Sequence, residues 1–430
     1  MRRFCFLCVA GLFLFGVESA SRAEKAAGLT TVEPITVSAT DWPWWRGPNR
    51  NGIAAADQSP PQSWSEDENV LWSSPLPGRG HGSATVVGDQ VFIATADEER
   101  EIQSVICFDR HTGDQRWKTD VHTGGFTKEG NKKSTQASST VACDGKRLFI
   151  NFLNGGALHT TALNRDGKQL WQKKISDYVV HQGYGSSPAL YQSLVVVSAD
   201  NKGGGAIAGL ERATGKIVWK NNRPAVPNYA SPIILKVAGR EQLLFIGCDL
   251  VSSFEPLSGK TNWEVAGSTT ECVTSTVTDG QLIFTSGGYP KNHISAVRAD
   301  GSGEIVWENK TRMYVPSMMV HKGHLYGVAD NGVAMCWKCD TGKDVWKQRL
   351  GGTFFSSPIM VGEHIYATSD GGQTFIFKAT QAGFQEVAKN ELGDEVYATP
   401  TICGSRIYMR VAFHTDDGRK ERLYCLGRRP

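Results

Sequence analysis

A short motif that recurs along the chain constrains its fold more than any other feature. Each full copy has Thr-Gly or Ser-Gly followed, after three variable positions, by tryptophan. Because glycine adopts the positive φ that tight hairpin turns need, the motif predicts a turn with the tryptophan on the returning strand. There its large ring can pack between neighbouring sheets. Full copies occupy residues 109–117, 211–219, 255–263, 299–307 and 338–346, and a shortened copy occupies 164–171.

A second marker, rich in Ser, Thr and Pro, opens each repeat. Its copies start at positions 83, 138, 186, 230, 274, 315, 356 and 398, which are 41 to 55 residues apart. Each period has room for four short strands separated by turns rich in Gly and Asn. The 47 glycines and 12 tryptophans of the chain agree with many short strands and recurring aromatic packing. Four strands per period of this length are typical of a β-propeller blade.

The ends of the chain complete the blade count. The unit that starts at 398 has three strands, and an outer strand with a tryptophan stands near the other terminus, at 69–72. Pairing the two would close the ring without a free strand edge. We therefore predict an all-β fold, an eight-bladed propeller of four-stranded antiparallel blades closed by the N-terminal strand. Seven blades is the alternative, because the unit from 356 has Phe384–Val387 where a tryptophan is expected.

The pattern Asp-x-x-Thr-Gly-Lys-x-x-Trp resembles the tryptophan-docking motif of PQQ-like repeats. That family includes quinoprotein alcohol dehydrogenases and the outer-membrane assembly lipoprotein BamB, and the resemblance covers residues 70–429. It implies the propeller fold and says little about activity. The Trp-rich segment 42–52 resembles a leader that precedes such propellers, and we expect it to pack against their outside or one end, with a partner site as the alternative. The implied docking residues are Trp72, Trp117, Trp171, Trp219, Trp263, Trp307 and Trp346.

Ligands of such propellers meet the residues just before each innermost strand, where the loops converge on the axis. These positions are unusually aromatic here, and aromatic rings with a few polar groups suit a small-molecule or peptide pocket. The alternative is that the rings simply fill the axial channel. The predicted funnel residues are His81, His181, Tyr184, Tyr229, Glu271, Tyr314, Phe354 and Tyr397.

An enzymatic role would need more than an aromatic funnel. The resemblance implies, for members that bind PQQ, an adjacent Cys-Cys pair, Ca²⁺ ligands of the Glu, Asn and Asp types, and an Asp base. The sequence has no Cys-Cys pair, and nothing in the spacing of Glu271, Asn228 and Asp200 requires a cation site. We therefore predict no catalytic residue, no metal and no cofactor. A PQQ- and calcium-dependent dehydrogenase of alcohols or sugars, and a carbohydrate- or peptide-binding module, remain as alternatives.

The N-terminus predicts export. Arg2 and Arg3 precede an apolar run from Phe4 to Val17 and then small residues, the order of a secretory signal. We divide the chain into a signal peptide (1–23), a leader (24–68) and the propeller (69–430), and expect a monomer in the periplasm or outside the cell. Its membrane association would be peripheral at most. The net charge of +3 argues against nucleic acid, so envelope proteins or a small ligand at the axial face are the expected partners.

Two further features carry expectations. The first unit contains a polar insertion at 119–136, which we expect to be a solvated loop, with a functional loop as the alternative. Eight cysteines remain after removal of the signal peptide: Cys107, Cys143, Cys248, Cys272, Cys336, Cys339, Cys403 and Cys425. We expect mainly buried free thiols, with one or two disulfides as the alternative.

Overall fold

A computed structural model describes residues 33–428, which form eight four-stranded antiparallel sheets. These sheets are the blades of a propeller, as the repeats predict. Strand β1 is Val70–Leu76. Blade 1 contains β2 (Thr85–Val87), β3 (Gln90–Asp97), β4 (Ile102–Asp109) and β5 (Gln115–Thr123), and blade 2 contains β6 (Ala142–Cys143), β7 (Arg147–Asn154), β8 (Ala157–Asn164) and β9 (Gln169–Asp177). Blade 3 contains β10 (Ala189–Tyr191), β11 (Leu194–Ser198), β12 (Gly205–Glu211) and β13 (Ile217–Arg223), and blade 4 contains β14 (Ile233–Val237), β15 (Arg240–Gly247), β16 (Leu250–Phe254) and β17 (Thr261–Ala266).

The remaining blades follow the same order of strands. Blade 5 contains β18 (Val277–Thr278), β19 (Leu282–Gly287), β20 (His293–Arg298) and β21 (Ile305–Asn309), and blade 6 contains β22 (Met319–His321), β23 (His324–Val328), β24 (Val333–Lys338) and β25 (Asp344–Arg349). Blade 7 contains β26 (Ile359–Val361), β27 (His364–Thr368), β28 (Gln373–Lys378) and β29 (Glu386–Glu391). Blade 8 contains β30 (Thr401–Cys403), β31 (Arg406–Thr415) and β32 (Gly418–Leu426). No helix between residues 33 and 428 is long and apolar enough to cross a membrane. The predicted signal peptide lies outside the described residues.

The N-terminal strand closes the ring as predicted. Strand β1 pairs antiparallel with β32, so that blade 8 has the order β1-β32-β31-β30. Ser73 lies opposite Tyr424, and the guanidinium of Arg422 donates to the carbonyl oxygen of Ser73 at 2.9 Å. The pairing removes the strand edge that an incomplete blade would expose.

Each blade is apolar in its second and third strands and mixed in its outer strand. Strand β11 is buried along its whole length, because both faces of its sheet are covered by neighbouring blades. The outer strand β9 exposes most of its residues and keeps Ile175 buried. Burial of the middle strands places the core between blades, in a ring around the axis.

The repeat tryptophans dock each blade onto the next one. Trp171 on β9 donates its Nε1 hydrogen to the carbonyl oxygen of Arg212, 3.0 Å away in blade 3. Its ring lies against Gly215, where a Cβ atom would come within 2.6 Å of the indole. The same bond to a carbonyl of the next blade is made by Trp72, Trp117, Trp219, Trp307 and Trp346. Trp263 instead donates to the side chain of Gln242 at 3.0 Å.

The opening marker of each repeat places a hydroxyl at the start of the first strand. The first strands of neighbouring blades contact each other, so they are the innermost strands. Along the described chain, six backbone N–H groups donate to the marker hydroxyl of the next blade, at 2.9 to 3.1 Å. These bonds join the blades around the axis. Each of the eight blades has one marker residue that carries this hydroxyl. We call this set the hydroxyl ring: Ser83, Thr140, Ser187, Ser231, Ser275, Ser317, Ser357 and Thr399.

The leader crosses one end of the central channel. Trp42 pairs with Val86 of blade 1, and the backbone N–H of Ala54 donates to Met360 of blade 7 at 2.8 Å. Between them, Trp45 donates its Nε1 hydrogen to Ser275 of the hydroxyl ring at 2.8 Å. The leader therefore contacts blades on opposite sides of the ring.

All eight cysteines of the described chain are buried and free. Burial raises the pKa of several of the thiols, for example that of Cys143 to about 12. The thiols therefore stay protonated at neutral pH, and the expectation of buried free thiols describes them correctly.

Candidate functional site

The central channel contains a cavity of about 420 Å³ with Trp45 of the leader in its lining. In every blade, the residue two positions before the hydroxyl-ring member lines the cavity. These eight residues are His81, Ser138, Gly185, Tyr229, Val273, Val315, Phe355 and Tyr397. We call this cavity the axial funnel. Its volume lies within the range of small-molecule sites.

Three neighbouring blades build an aromatic wall on one side of the funnel. The rings of Phe355 and Tyr397 stack with their centroids 5.2 Å apart, and those of Tyr397 and His81 stack at 4.7 Å. Burial, together with the charges of Arg410 and Arg79, lowers the pKa of His81 to about 3. His81 is therefore neutral at pH 7, which makes the whole wall uncharged.

The predicted funnel residues divide into two groups. His81, Tyr184, Tyr229, Tyr314 and Tyr397 line the axial funnel. The hydroxyl of Tyr184 donates to the carbonyl oxygen of Ser198 at 2.9 Å, so this hydrogen bond fixes the side chain to blade 3.

The other three predicted residues do not line the funnel. Phe354 was placed at the axis, but it is 1% exposed and packs on Phe375 inside blade 7. Its neighbour Phe355 takes the axial position, because adjacent residues of extended chain point to opposite sides. His181 and Glu271 form a layer behind the lining.

That layer contains a carboxylate shared by two side chains. Glu271 is buried, and one of its carboxylate oxygens lies 3.1 Å from Nε2 of His181. Its other oxygen accepts a hydrogen bond from the hydroxyl of Tyr314 at 3.2 Å. Burial, and next the negative charge of Glu271, raise the pKa of Tyr314 and of Tyr229. Both phenols therefore remain protonated at neutral pH and can donate hydrogen bonds.

The residues considered for a cation site are each committed to a protein partner. Asp200 forms an ion pair with Arg223 at 3.2 Å, and Asn228 donates to Asp200 at 3.1 Å. The amide oxygen of Asn228 accepts the backbone N–H of Cys272. Glu271 faces His181 and Tyr314 instead. Within residues 33–428, no three His, Cys, Asp or Glu side chains are grouped so as to hold a metal ion.

The insertion of the first unit reaches the mouth of the funnel. Asn131 donates through its backbone N–H to the carbonyl oxygen of Gln182 at 2.9 Å and through its side chain to the amide oxygen of the same residue at 3.0 Å. The ammonium group of Lys133 lies 4.8 Å from the ring centroid of Phe355. Asn131, Lys133 and Ser134 all line the funnel. The expectation of a merely solvated loop was therefore incomplete, because this segment forms part of the site.

Several lining residues were not predicted. The Trp-rich segment predicts only packing for Trp45, and no repeat or motif marks Arg312 or Asp330 as lining residues. Both oxygens of Asp330 accept backbone N–H groups, from Tyr314 at 2.8 Å and from Val315 at 3.3 Å. The repeat register was a usable signal for the wall, since the residue two before each marker hydroxyl lines the funnel in every blade.

Comparison with known families agrees with this architecture. The family described as "Outer membrane protein assembly factor BamB" matches residues 62–177, 101–290 and 290–383, which together span most of the chain. The chain belongs to this family of PQQ-like β-propellers. The resemblance inferred from the docking motif is thereby confirmed.

Solved structures show the same fold at low sequence identity. The structure of BamB from Moraxella catarrhalis is 14% identical, with a TM-score of 0.58 over 83% of this chain and 99% of that one. The quinohemoprotein alcohol dehydrogenase of Comamonas testosteroni is 11% identical, with a TM-score of 0.65 over 91% of this chain and 81% of that one. The fold is thus shared by an assembly factor and an alcohol dehydrogenase, and it does not decide between their functions.

Two curated relatives are named polyvinylalcohol dehydrogenase. The one from a Pseudomonas species is 26% identical over 212 residues, which is 44% of this chain and 30% of the relative. The one from a Sphingopyxis species is 23% identical over 218 residues, 47% of this chain and 31% of the relative. The matches therefore span less than a third of the length of these relatives.

Proposed function

We propose that this chain is an exported, non-catalytic propeller of the cell envelope that binds a ligand in its axial funnel. The observation that carries the proposal is the construction of the funnel, in which eight blades, the leader and the insertion each supply lining side chains. Such a site is rigid, because its walls belong to sheets docked around a closed ring. Concave, mostly pre-formed cavities lined by aromatic rings and a few polar groups are the usual form of ligand sites.

The proposal of a non-catalytic role rests on how the ionisable groups are used. Asp200 is paired with Arg223, and the carboxylate oxygens of Glu271 contact His181 and Tyr314. His81 has a pKa of about 3, so it does not exchange protons near neutral pH. These residues do not provide the oxygen ligands that Ca²⁺ beside PQQ would require.

The second candidate is a PQQ- and calcium-dependent dehydrogenase. It is favoured by the similarity of about half of the chain to two polyvinylalcohol dehydrogenases. The cofactor would have to enter the same funnel, and its cation would need Asp200, Asn228 or Glu271 to leave their present partners.

Calorimetric titration of the mature protein with PQQ, with and without Ca²⁺, separates the two candidates. We expect no heat of binding from a protein whose circular dichroism shows folded β-structure, and no reduction of an artificial electron acceptor in the presence of polyvinyl alcohol. Stoichiometric, Ca²⁺-dependent binding of PQQ would overturn the non-catalytic proposal.

Ligand-observed NMR tests the binding role itself. A panel of saccharides, amino acids and short peptides is offered to the wild type and to the double variant Phe355→Ala, Tyr397→Ala. We expect saturation transfer to at least one class, lost in the variant. The absence of any signal from the whole panel, or signals that survive in the variant, would contradict a ligand site in the funnel.

A further inference from the structure

The floor of the funnel presents a set of unused hydrogen-bond donors. Five hydroxyl-ring residues line the cavity, and each accepts one backbone N–H from the preceding blade. No hydrogen bond found within the described chain uses the hydroxyl hydrogen of these residues, although their side chains are at least nine-tenths buried. Buried donors need acceptors. The five residues are Thr140, Ser187, Ser231, Ser357 and Thr399.

The mouth of the funnel adds two cations. Lys133 lies over the ring of Phe355, and the guanidinium of Arg312 lies 5.4 Å from the ring centroid of Tyr314. Among the described residues, neither cation forms an ion pair. The one carboxylate in the lining, Asp330, already accepts two backbone N–H groups. The funnel is thus rich in donors from floor to mouth and carries a positive charge, which favours an anionic ligand with many oxygen atoms.

The walls favour a ligand that contains rings. The aromatic wall of Phe355, Tyr397 and His81 comes from blades 7, 8 and 1, and the lining on blades 3 to 5 opposite includes Gly185, Tyr229 and Val273. A saccharide ring has an apolar face that packs on such aromatic groups and hydroxyls that both donate and accept. The cavity of about 420 Å³ has room for a short saccharide.

We infer that the ligand of the axial funnel is an acidic saccharide. Its ring packs beside the aromatic wall, its hydroxyl oxygens accept from the hydroxyl ring, and its carboxylate faces Lys133 and Arg312. This inference rests on the proposed function, because it names the ligand class of the same funnel.

Titration calorimetry with digalacturonate tests the inference. Its dimethyl ester serves as the matched neutral ligand, and terephthalate as an aromatic dianion without sugar hydroxyls. We expect digalacturonate to bind at least about tenfold more tightly than either, with an affinity that falls as salt is raised.

Variants locate the interaction. Lys133→Gln should weaken binding of digalacturonate by about fivefold, the effect expected of one partly exposed ion pair. Phe355→Leu keeps an apolar side chain but removes the ring, and should weaken binding by about tenfold. Lys128→Gln removes the same charge from the same insertion at a residue that does not line the funnel. This control should leave the affinity unchanged.

The outcomes are distinct. Equal binding of the ester would refute the anionic ligand, and equal binding of terephthalate would refute the saccharide. Failure of digalacturonate while a neutral saccharide or a peptide binds in the funnel would overturn this inference and leave the proposed function standing. Ca²⁺-dependent binding of PQQ would overturn both.

Discussion

His81 shows how position in the funnel sets the behaviour of a single residue. Its pKa is about 3, mainly because it is buried, whereas an unfolded histidine titrates near 6.5. Between these values the unfolded chain binds more protons, so stability falls as the pH is lowered through that window. In His81→Gln, the decline in the free energy of unfolding between pH 6.5 and 4 should be smaller, as measured by urea denaturation. His111→Gln, at an exposed position, is the control. Equal pH slopes in wild type and His81→Gln would rule this role out.

Arg46 is a buried cation that holds the leader to the blades. Only 1% of its surface is exposed, and its guanidinium donates to backbone carbonyl oxygens of Asn51, Met318 and Pro358. Arg46→Met would leave these acceptors buried without donors, at a cost of about 3 kcal/mol in the free energy of unfolding. The exposed Arg240→Met should change it by less than about 0.5 kcal/mol. Chemical denaturation measures the free energy of unfolding of both variants. If Arg46→Met loses as little as Arg240→Met, the hydrogen bonds of Arg46 do not stabilise the fold.

At the scale of elements, the docking of tryptophan on glycine can be separated from the backbone requirement of the turn. Gly215 has φ +73° and lies against Trp171, whereas Gly239 has φ +78° and a Cβ atom added there would meet nothing within 4 Å. Both alanine variants carry the strain of positive φ, about 1 kcal/mol. Gly215→Ala adds a clash with the indole, and should cost about 1–3 kcal/mol more than Gly239→Ala. Comparing the two by thermal unfolding isolates the docking contact, and equal losses would refute it.

The elements also show where sequence reasoning succeeds and where it stops. The repeats predict the blades because each hairpin and its tryptophan are local patterns repeated at a fixed period. The pattern does not separate Phe354, which is buried in blade 7, from Phe355, which lines the funnel, because the two rings are adjacent and only the exact start of the strand decides which one faces the axis. The insertion has no repeat counterpart, and its contact with Gln182 joins segments about 50 residues apart. Such contacts depend on tertiary packing, which a local pattern does not encode.

For the whole molecule, the closure of the ring by β1 could be predicted from the sequence. The position of the leader across one end of the central channel could not. Strand β1 could be assigned to blade 8 because the last repeat has only three strands. The contact of Trp45 with Ser275 spans 230 residues, and no sequence period relates them. The leader thus contributes to the fold and to the site at once, since it joins distant blades and supplies a side chain to the funnel.

Removing the leader should therefore weaken the cooperation between blades. A chain of residues 61–430 keeps β1 and ring closure but loses the bonds to Val86, Met318 and Met360. We expect its calorimetric transition to occur at lower temperature and to broaden, with a lower ratio of van't Hoff to calorimetric enthalpy. Trp45→Ala is the control, because it removes the indole and its single bond to Ser275 but keeps the leader's bonds to Val86, Met318 and Met360, and it should keep a sharp transition. If the shortened chain unfolds at the same temperature and as sharply as the complete one, the blades cooperate through docking and closure alone.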